Sequence, residues 1–382
     1  MPVVKNPLSI IHLINGRSAN VGNGALTEGA EFLLNEDIKR QIEWRRDCWD
    51  DYTFGRSSFD RNFVEAINQS DGMVVGGAVA LNGRSFYGNT GMRFNLPQEL
   101  WTEIKKPLIF YGLSYRIWPD QKYEHLDQLR KTLKYISANE RMLLAFRNDG
   151  TKQWLENELG IEDSRFFVVP DPGVFVVADP SGPYPEIQRD RPNIIVALND
   201  EDKEGRFITK ERRDSVLKGI AEALERLVTE CHANIIFVPH YFDDYRAVAD
   251  VIDLCKPVIA HQNMIGTGLA RIEGSRHFYG RYLHADAVIS MRVHSMSPCI
   301  GLQVPMVPLV SQARMTDFLN GLGLGDLAVD AFGAHLSERL VTAVKWTLQH
   351  KSEVRGRFKK VRDLMRHESR IFNAMVSELI DA

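Results

Sequence analysis

The chain has 382 residues, of which 44% are hydrophobic and 25% are charged, and its formal net charge is -3. This length exceeds what one hydrophobic core usually organises, so we expect two domains of ordinary size. A slightly acidic chain lacks the basic surface that nucleic-acid binding needs, and we predict no nucleic-acid partner. Four scattered cysteines form no disulfide framework or metal-ligand spacing, which favours a cytoplasmic protein. No apolar run approaches the roughly 20 residues of a membrane span, so any membrane contact would be peripheral.

Short apolar runs alternate with amphipathic segments along the chain, and this alternation predicts parallel sheets built from strand-helix-strand units. In the first half, apolar residues at three- and four-residue spacing predict helices at 123–138 and 151–159. The first apolar run has no cleavage site after it and is typical of a strand rather than a signal peptide. The predicted strands are residues 9–15, 72–75, 108–111, 142–146 and 166–169.

The alternation restarts after a proline-rich stretch that predicts a linker. The second half has predicted helices at 215–229 and 244–254, and predicted strands at 193–198, 234–238, 257–260 and 287–290. We therefore divide the chain into a first domain at 1–178, a linker at 179–192, a second domain at 193–350 and a C-terminal basic amphipathic helix at 351–382.

The C-terminal helix has eight Lys or Arg residues against three Asp or Glu residues between positions 351 and 370. One interpretation is a patch that faces anionic lipid or a phosphate-bearing acceptor. The other is a solvated helix that packs across the two domains.

The most informative segment is the apolar run Ala287–Ser290 followed by Met291-Arg292-Val293-His294-Ser295. Because alternate residues of an extended chain point the same way, we expect Arg292 and His294 to project together from the end of a buried strand. Open α/β sheets bind ligands at the carboxyl ends of their strands. A permanent cation beside a group that titrates near neutrality can hold an anion and move a proton. The alternative is a surface ion pair next to a histidine that starts a helix.

Other strand ends carry residues suited to anions. Asn20, Gly22 and Asn23 precede a predicted helix whose free N–H groups could face a ligand, although the glycine spacing is not that of a dinucleotide-binding loop. Gly76 and Gly77 would allow close approach of a ligand or of another backbone segment.

Three further turns follow predicted strands. Arg147 begins a turn into a helix, where its charge opposes the helix dipole unless an anion is present. His240 follows a strand in the second half, next to Asp243, which we predict to be a helix N-cap. The acidic run 199–202 is more typical of a solvated loop than of a metal site, and we predict no metal and no cofactor.

These strand-end residues, taken together, resemble the polysaccharide pyruvyl transferase family, and the similarity covers nearly the whole chain. Its most specific part is the segment from Arg292 to Pro305. The matching motifs are Asn20-x-Gly22-Asn23 with Ala25-Leu26, Gly76-Gly77, Phe146-Arg147-Asn148-Asp149 with Leu155 and Gly160, Pro170-Asp171-Pro172, Pro239-His240 with Asp243, Ile289-Ser290-Met291-Arg292-Val293-His294 with Gly301 and Pro305, and Phe318 with Leu322-Gly323-Leu324.

The chain departs from the family pattern at several of these positions. Where the family has Gly-Asp in its early loop, this chain has Gly22-Asn23. The family's glycine run is longer than Gly76-Gly77, and Arg314 stands in place of the family's late Lys. Asn199 replaces the family's Arg after the first strand of the second domain. These departures bear on the acceptor and on activity rather than on the fold.

The resemblance implies an α/β protein with two Rossmann-like domains that face each other across a cleft, as in GT-B glycosyltransferases, and C-terminal helices that cross back to the first domain. It also implies phosphoenolpyruvate as co-substrate and a saccharide acceptor of polysaccharide or exopolysaccharide biosynthesis, for which a lipid-linked form is one alternative. Two hydroxyls of one sugar would become bridged as a pyruvate ketal.

The chemistry of this donor, which carries a phosphate and a carboxylate, suggests a role for the candidate residues. His294 would be the catalytic acid/base, and Arg147, Arg292 and Ser295 would bind the donor. Asn20, Asn23, Gly76, Gly77, His240 and Arg314 are candidate substrate-binding residues. Two other functions remain open: a nucleotide-sugar glycosyltransferase on the same scaffold, and a catalytically silent binding protein.

Overall fold

A computed structural model describes residues 6–16, 20–77, 79–118, 121–201 and 203–382. Within these residues the chain forms two compact units. The first unit contains residues 6–16, 26–172 and 364–382, and the second contains residues 20–25 and 173–363.

The strands of the first unit are β1 Leu8–Ile14, β2 Ile42–Cys48, β3 Gly72–Gly76, β4 Val79–Leu81, β5 Leu108–Tyr115, β6 Met142–Arg147 and β7 Phe166–Val169. They form a parallel sheet of seven strands in the order β2-β1-β3-β5-β6-β7, with β4 paired to β5. The helices of this unit are α1 Val21–Asp37, α2 Trp49–Thr53, α3 Arg61–Asn68, α4 Gln98–Trp101, α5 Leu126–Ala138 and α6 Thr151–Leu159. The first turn of α1, up to residue 25, belongs to the second unit.

Both faces of this sheet are buried, which is why its central strands are almost continuously apolar. Along β1, Ile11 and Leu13 belong to one hydrophobic cluster, whereas Leu8 and Ile10 belong to another. The two-residue period of a strand places these pairs on opposite faces. The first unit therefore has a core on each side of its sheet.

The second unit repeats this architecture with strands β8 Asn193–Ala197, β9 Asn234–Phe237, β10 Met264–Gly266, β11 Ala287–Ser290, β12 Met306–Val310 and β13 Val329–Asp330. These strands form a parallel sheet in the order β10-β9-β8-β11-β12-β13. Its helices are α7 Lys203–Phe207, α8 Lys210–Cys231, α9 Asp244–Leu254, α10 Pro257–Asn263, α11 Ser275–Gly280, α12 Val293–Leu302, α13 Ala313–Gly321 and α14 Leu336–Gln349.

The predicted strand at 257–260 is wrong. Proline lacks an N–H and its fixed φ suits the first position of a helix, and Pro257 occupies that position in α10. The strand that pairs with β9 lies directly after this helix, at Met264–Gly266.

The chain ends in one long helix, α15 Lys351–Asp381, whose residues from Leu364 onward belong to the first unit. There Phe372 and Val376 join a core cluster of the first unit. Asp37 accepts hydrogen bonds from Arg366 at 2.7 and 2.8 Å and from Asn373 at 2.7 Å. The helix thus packs by its apolar stripe and a partly buried ion pair.

Candidate functional site

The carboxyl ends of β8, β9, β11 and β12 lie side by side at one edge of the second sheet, because these strands are parallel neighbours. The segments that follow them carry Glu201, His240, Arg292 and Arg314. This edge of the second unit is the candidate site.

Arg292 lies between the end of β11 and the start of α12. Ser290 donates a hydrogen bond from Oγ to the carbonyl of Arg292 at 3.0 Å, which closes a tight turn after the strand. Arg292 is then the N-cap residue and α12 begins at Val293. His294 is therefore in the first turn of a helix, and the expectation that it projects from an extended strand together with Arg292 is wrong. Arg292 instead caps α12, and His294 is the second residue of that helix.

The Arg292 guanidinium is held by two carboxylates. Nε and Nη2 donate to the two carboxylate oxygens of Asp244 at 3.0 and 2.5 Å, and Nη1 donates to Glu201 at 3.2 Å. Although burial alone would lower it, Asp244 and Glu201 raise the pKa of Arg292. Asp244 also accepts from the backbone N–H groups of His240 and Tyr241, both at 2.9 Å. This carboxylate joins the end of β9 to the end of β11.

His294 is only partly buried, unlike Arg292. Its carbonyl accepts a hydrogen bond from Tyr279 Oη at 2.7 Å. In the first turn of α1, a Cβ on Gly22 would lie 2.7 Å from both Cβ and Nδ1 of His294. Glycine is needed at this close approach, which brings the first turns of α1 and α12 together. Since helix N-termini favour negative charge, the imidazole lies where an anionic ligand would be stabilised.

Ser295 and His240 belong to one buried hydrogen-bond chain. His240 Nε2 lies 2.8 Å from Tyr282 Oη, which lies 3.2 Å from Ser295 Oγ. Burial lowers the pKa of His240 well below its usual value, with nearby Arg292 acting in the same direction. Burial likewise raises the pKa of Tyr282. The chain is therefore uncharged near neutral pH, and we interpret it as support for the first turn of α12.

Asn20 and Asn23 lie where α1 begins. Asn20 caps this helix, because its Oδ1 accepts from Gly22 N at 3.1 Å and its carbonyl accepts from Asn23 N at 3.1 Å. The Asn23 side chain is buried. Both residues thus support the turn that carries Gly22 beside His294. Substrate contact by either asparagine stays a prediction.

Gly76 and Gly77 lie at the end of β3 in the first unit. A Cβ on Gly76 would come within 2.2 Å of His12 Nε2, and one on Gly77 would lie 3.1 Å from Leu26 Cβ. The close approach that these glycines allow is packing within the first unit. Their contact with substrate stays a prediction.

Arg147 ends β6 in the first unit and is fully enclosed. Nε and Nη2 both lie 2.9 Å from one carboxylate oxygen of Asp149, and Nη1 lies 3.4 Å from Asp171, with all three side chains at 0% exposure. Although burial alone would lower it, these carboxylates raise the pKa of Arg147. Asp149 further accepts from Ser114 and Thr151, both at 2.5 Å. Contact between Arg147 and the donor stays a prediction, and it would require an anion to replace one of these carboxylates.

Asp243 occupies the N-cap position of α9, but its side chain makes no capping hydrogen bond. It pairs with Arg246 at 2.9 Å instead. It is the neighbouring Asp244 that accepts from the backbone N–H groups at the end of β9 and from Arg292, a role that the sequence did not reveal. Arg206 and Tyr282 are two further residues of this edge that sequence reasoning missed.

Within the described part of the chain, no group of His, Cys, Asp or Glu side chains is arranged to hold a metal ion. Nor does any described helix combine the length and apolar character needed to cross a bilayer. The cytoplasmic location stays a prediction.

A family model for polysaccharide pyruvyl transferases matches residues 20–312, which is most of the chain and includes all of the candidate residues except Arg314. The chain belongs to the polysaccharide pyruvyl transferase family. This membership confirms the resemblance read from the motifs. No curated protein shows significant sequence similarity to the chain.

Solved structures show the same fold at low sequence identity. A putative UDP-N-acetylglucosamine 2-epimerase from Listeria monocytogenes aligns with a TM-score of 0.56 and 12% identity, covering 92% of this chain and 91% of that one. The α,α-trehalose 6-phosphate synthase from Burkholderia multivorans aligns with a TM-score of 0.52 and 12% identity, covering 98% of each chain. The UDP-GlcNAc 2-epimerase from Methanocaldococcus jannaschii aligns with a TM-score of 0.51 and 13% identity, covering 90% of this chain and 93% of that one. The protein therefore has the two-domain, Rossmann-like GT-B fold.

Proposed function

We propose that the protein transfers the pyruvyl group of phosphoenolpyruvate to two hydroxyls of one sugar in a polysaccharide or its precursor. The observation that carries this proposal is the partly exposed His294 in the first turn of α12, next to Arg292, in a chain of the pyruvyl transferase family. The imidazole of His294 can transfer a proton, and the N-termini of α1 and α12 beside it favour an anion.

The reaction needs one addition and one displacement. The first hydroxyl adds to the carbon that bears the phosphate while the neighbouring methylene takes up a proton and becomes a methyl group. The second hydroxyl then attacks the same carbon, and the carbon–oxygen bond to phosphate breaks. Of the two hydroxyl protons, one balances the new methyl group and the other leaves with inorganic phosphate. The product is a cyclic ketal.

His294 is the residue that we assign to proton transfer, since imidazole can both donate and accept near neutral pH. We assign Arg292 to the binding of the anionic donor. Its two hydrogen bonds to Asp244 fix the plane of the guanidinium, and its 3.2 Å hydrogen bond to Glu201 is the one that a donor oxygen would replace. Cationic donors of this kind stabilise the charge of the departing phosphate.

The test is phosphate release from phosphoenolpyruvate with a panel of glycosides, followed by mass measurement of any product. His294→Ala should lower turnover at least about 100-fold, the lower end for a general acid/base. The matched control is His261→Ala, which removes an exposed histidine on α10 and should leave turnover unchanged. Equal turnover in the wild type and His294→Ala would remove His294 from the mechanism.

A glycosyltransferase acting on a nucleotide sugar is the second candidate, because the fold is shared with GT-B enzymes. Binding stabilises a folded protein, so thermal shifts with phosphoenolpyruvate, uridine diphosphate and guanosine diphosphate separate the two functions. Stabilisation by phosphoenolpyruvate alone supports pyruvyl transfer. Stabilisation by a nucleotide alone supports the second candidate, and phosphate release excludes a catalytically silent protein.

A further inference from the structure

Pro298 lies inside α12 and changes how the start of this helix is held. In a regular α-helix, each carbonyl accepts a hydrogen bond from the N–H group four residues later. For the carbonyl of His294 that later residue is Pro298, which has no N–H to donate and whose ring crowds the same carbonyl. The turn that carries His294 therefore cannot make this helical hydrogen bond.

Tyr279 of α11 supplies a donor to the same carbonyl. Its Oη donates to the carbonyl oxygen of His294 at 2.7 Å, although 15 residues separate the two in the chain. A hydrogen bond from a neighbouring helix thus stands where Pro298 cannot provide one.

The Tyr279 side chain is itself fixed by packing. It is buried, and its ring centroid lies 5.2 Å from that of Phe278, 5.4 Å from that of Tyr282 and 6.0 Å from that of His240. These rings are tilted or edge-on to Tyr279, which is an arrangement that aromatic side chains prefer. Because the ring is held in this way, Oη has a defined position against which the His294 backbone is set.

A second tyrosine holds the next residue of α12. Tyr282, which follows α11, has its hydroxyl 3.2 Å from Ser295 Oγ. Tyr279 thus fixes the backbone of His294 while Tyr282 fixes the side chain of Ser295. The first turn of α12 is positioned from outside by two buried phenols.

We propose that Tyr279 is a positioning residue for His294, and that it has this role because Pro298 cannot donate to the His294 carbonyl. The inference rests on the proposed function for the role of His294 in proton transfer. With a proline at position 298, the packed ring of Tyr279, rather than the helix alone, sets the position of the imidazole. Such positioning matters because a displacement of about 1 Å at a reacting group can cost about 100-fold in rate.

The first test is Tyr279→Phe, which keeps the ring and removes only the hydroxyl. Turnover in phosphate release should fall by about 10- to 100-fold. The KM for phosphoenolpyruvate should stay as in the wild type, because Arg292 keeps both of its hydrogen bonds to Asp244. The matched control is Tyr123→Phe, which removes another buried hydroxyl that donates to a backbone carbonyl, that of Gly91, at 2.7 Å in the first unit. The control should keep the turnover of the wild type.

Pro298→Ala provides the rescue. Alanine restores an N–H group that can donate to the His294 carbonyl, so the Tyr279 hydroxyl is no longer needed. The double variant Tyr279→Phe with Pro298→Ala should therefore recover most of the turnover that Tyr279→Phe loses. If the hydroxyl served stability alone, the double variant would show no recovery.

Nuclear magnetic resonance of protein with isotope-labelled histidine follows the imidazole without turnover. The His294 signals are those that disappear in His294→Ala. They should shift in Tyr279→Phe, return towards the wild-type position in the double variant, and stay unchanged in Tyr123→Phe. Circular dichroism and melting establish that each variant folds, and if the double variant does not fold, the comparison of the two Tyr→Phe variants decides the question.

The positioning role and the proposed function fail in different ways. Equal turnover and unchanged His294 signals in Tyr279→Phe, or a folded double variant without recovery, would overturn the positioning role and leave the proposed function standing. A wild type without turnover of phosphoenolpyruvate, whose His294 signals shift in Tyr279→Phe and return in the double variant, would support the positioning of His294 and contradict the proposed function.

Discussion

Replacing Asp244 by asparagine tests the ion pair that orients Arg292. Asp244 is fully buried, accepts two hydrogen bonds from Arg292, and accepts from the backbone N–H groups of His240 and Tyr241. An amide keeps the shape of the carboxylate but turns an NH₂ group towards either the guanidinium or the backbone donors. The substitution also leaves Arg292 with Glu201 as its carboxylate partner.

The expected loss of stability can be sized from this geometry. Two unit charges about 4 Å apart interact by about 4 kcal/mol at an effective dielectric constant of about 20. Removing one partner of a buried pair costs about 3–5 kcal/mol, because the other charge remains buried. We therefore expect Asp244→Asn to lower the free energy of unfolding of the second unit by about 3–5 kcal/mol. Turnover should also fall, since Arg292 loses its fixed plane.

The neighbouring Asp243 provides a matched control. Its side chain is 30% exposed and pairs with Arg246, which is 58% exposed. Asp243→Asn should cost no more than about 1 kcal/mol. The assay is urea unfolding followed by hydrogen exchange and mass spectrometry of peptides from β11 and α12, which reports the second unit alone.

A double-mutant cycle with Arg292→Gln isolates the pair itself. The coupling energy between Asp244→Asn and Arg292→Gln should be at least about 2 kcal/mol, within the range measured for close charge pairs. A cost for Asp244→Asn as small as that of Asp243→Asn, with no measurable coupling, would refute the argument that this pair holds the site together.

Two further predictions follow from single contacts. Gly22→Ala places a methyl group 2.7 Å from Cβ and Nδ1 of His294 and should lower turnover by displacing the imidazole. The control is Gly356→Ala on α15, where the added methyl group meets open space and turnover should not change. Equal turnover in the two variants would contradict the contact between Gly22 and His294. Although burial alone would raise it, hydrogen bonds led by that of His12 lower the pKa of Glu31 from 4.5 to about 2. This carboxylate therefore contributes about 3 kcal/mol above pH 4.5, and the contribution is lost as the pH falls towards 2. The stability gap between wild type and Glu31→Gln should narrow on acidification in urea unfolding, and a gap independent of pH would contradict the assignment.

The sequence predicted most of the central strands, because strands buried on both faces are short apolar runs. The central strand β11 occurs at the predicted residues, Ala287–Ser290, and so does β7, Phe166–Val169, at one edge of the first sheet. Among the strands that were missed are β2, Ile42–Cys48, whose exposed side chains break the apolar run, and β12, Met306–Val310, which is buried. Local pattern thus identified many of the buried strands but not all of them.

The candidate site was predicted less completely. The sequence marked Arg292 and His294, but it placed both on a strand because nothing local shows that the turn at Ser290 ends it. Asp244 was missed because its partner Arg292 lies 48 residues away in the chain. Burial of charge is a property of tertiary packing, so the carboxylates that neutralise Arg147 and Arg292 could be assigned only from the structure.

The most direct test of the account is phosphate release by the wild-type protein from phosphoenolpyruvate in the presence of glycosides. We expect release that depends on an acceptor sugar, together with a product whose mass corresponds to one pyruvate ketal. In His294→Ala the same assay should show at least about 100-fold less release. A wild-type protein that binds phosphoenolpyruvate but releases no phosphate with any acceptor, while a nucleotide sugar donates its sugar to one of them, would contradict pyruvyl transfer.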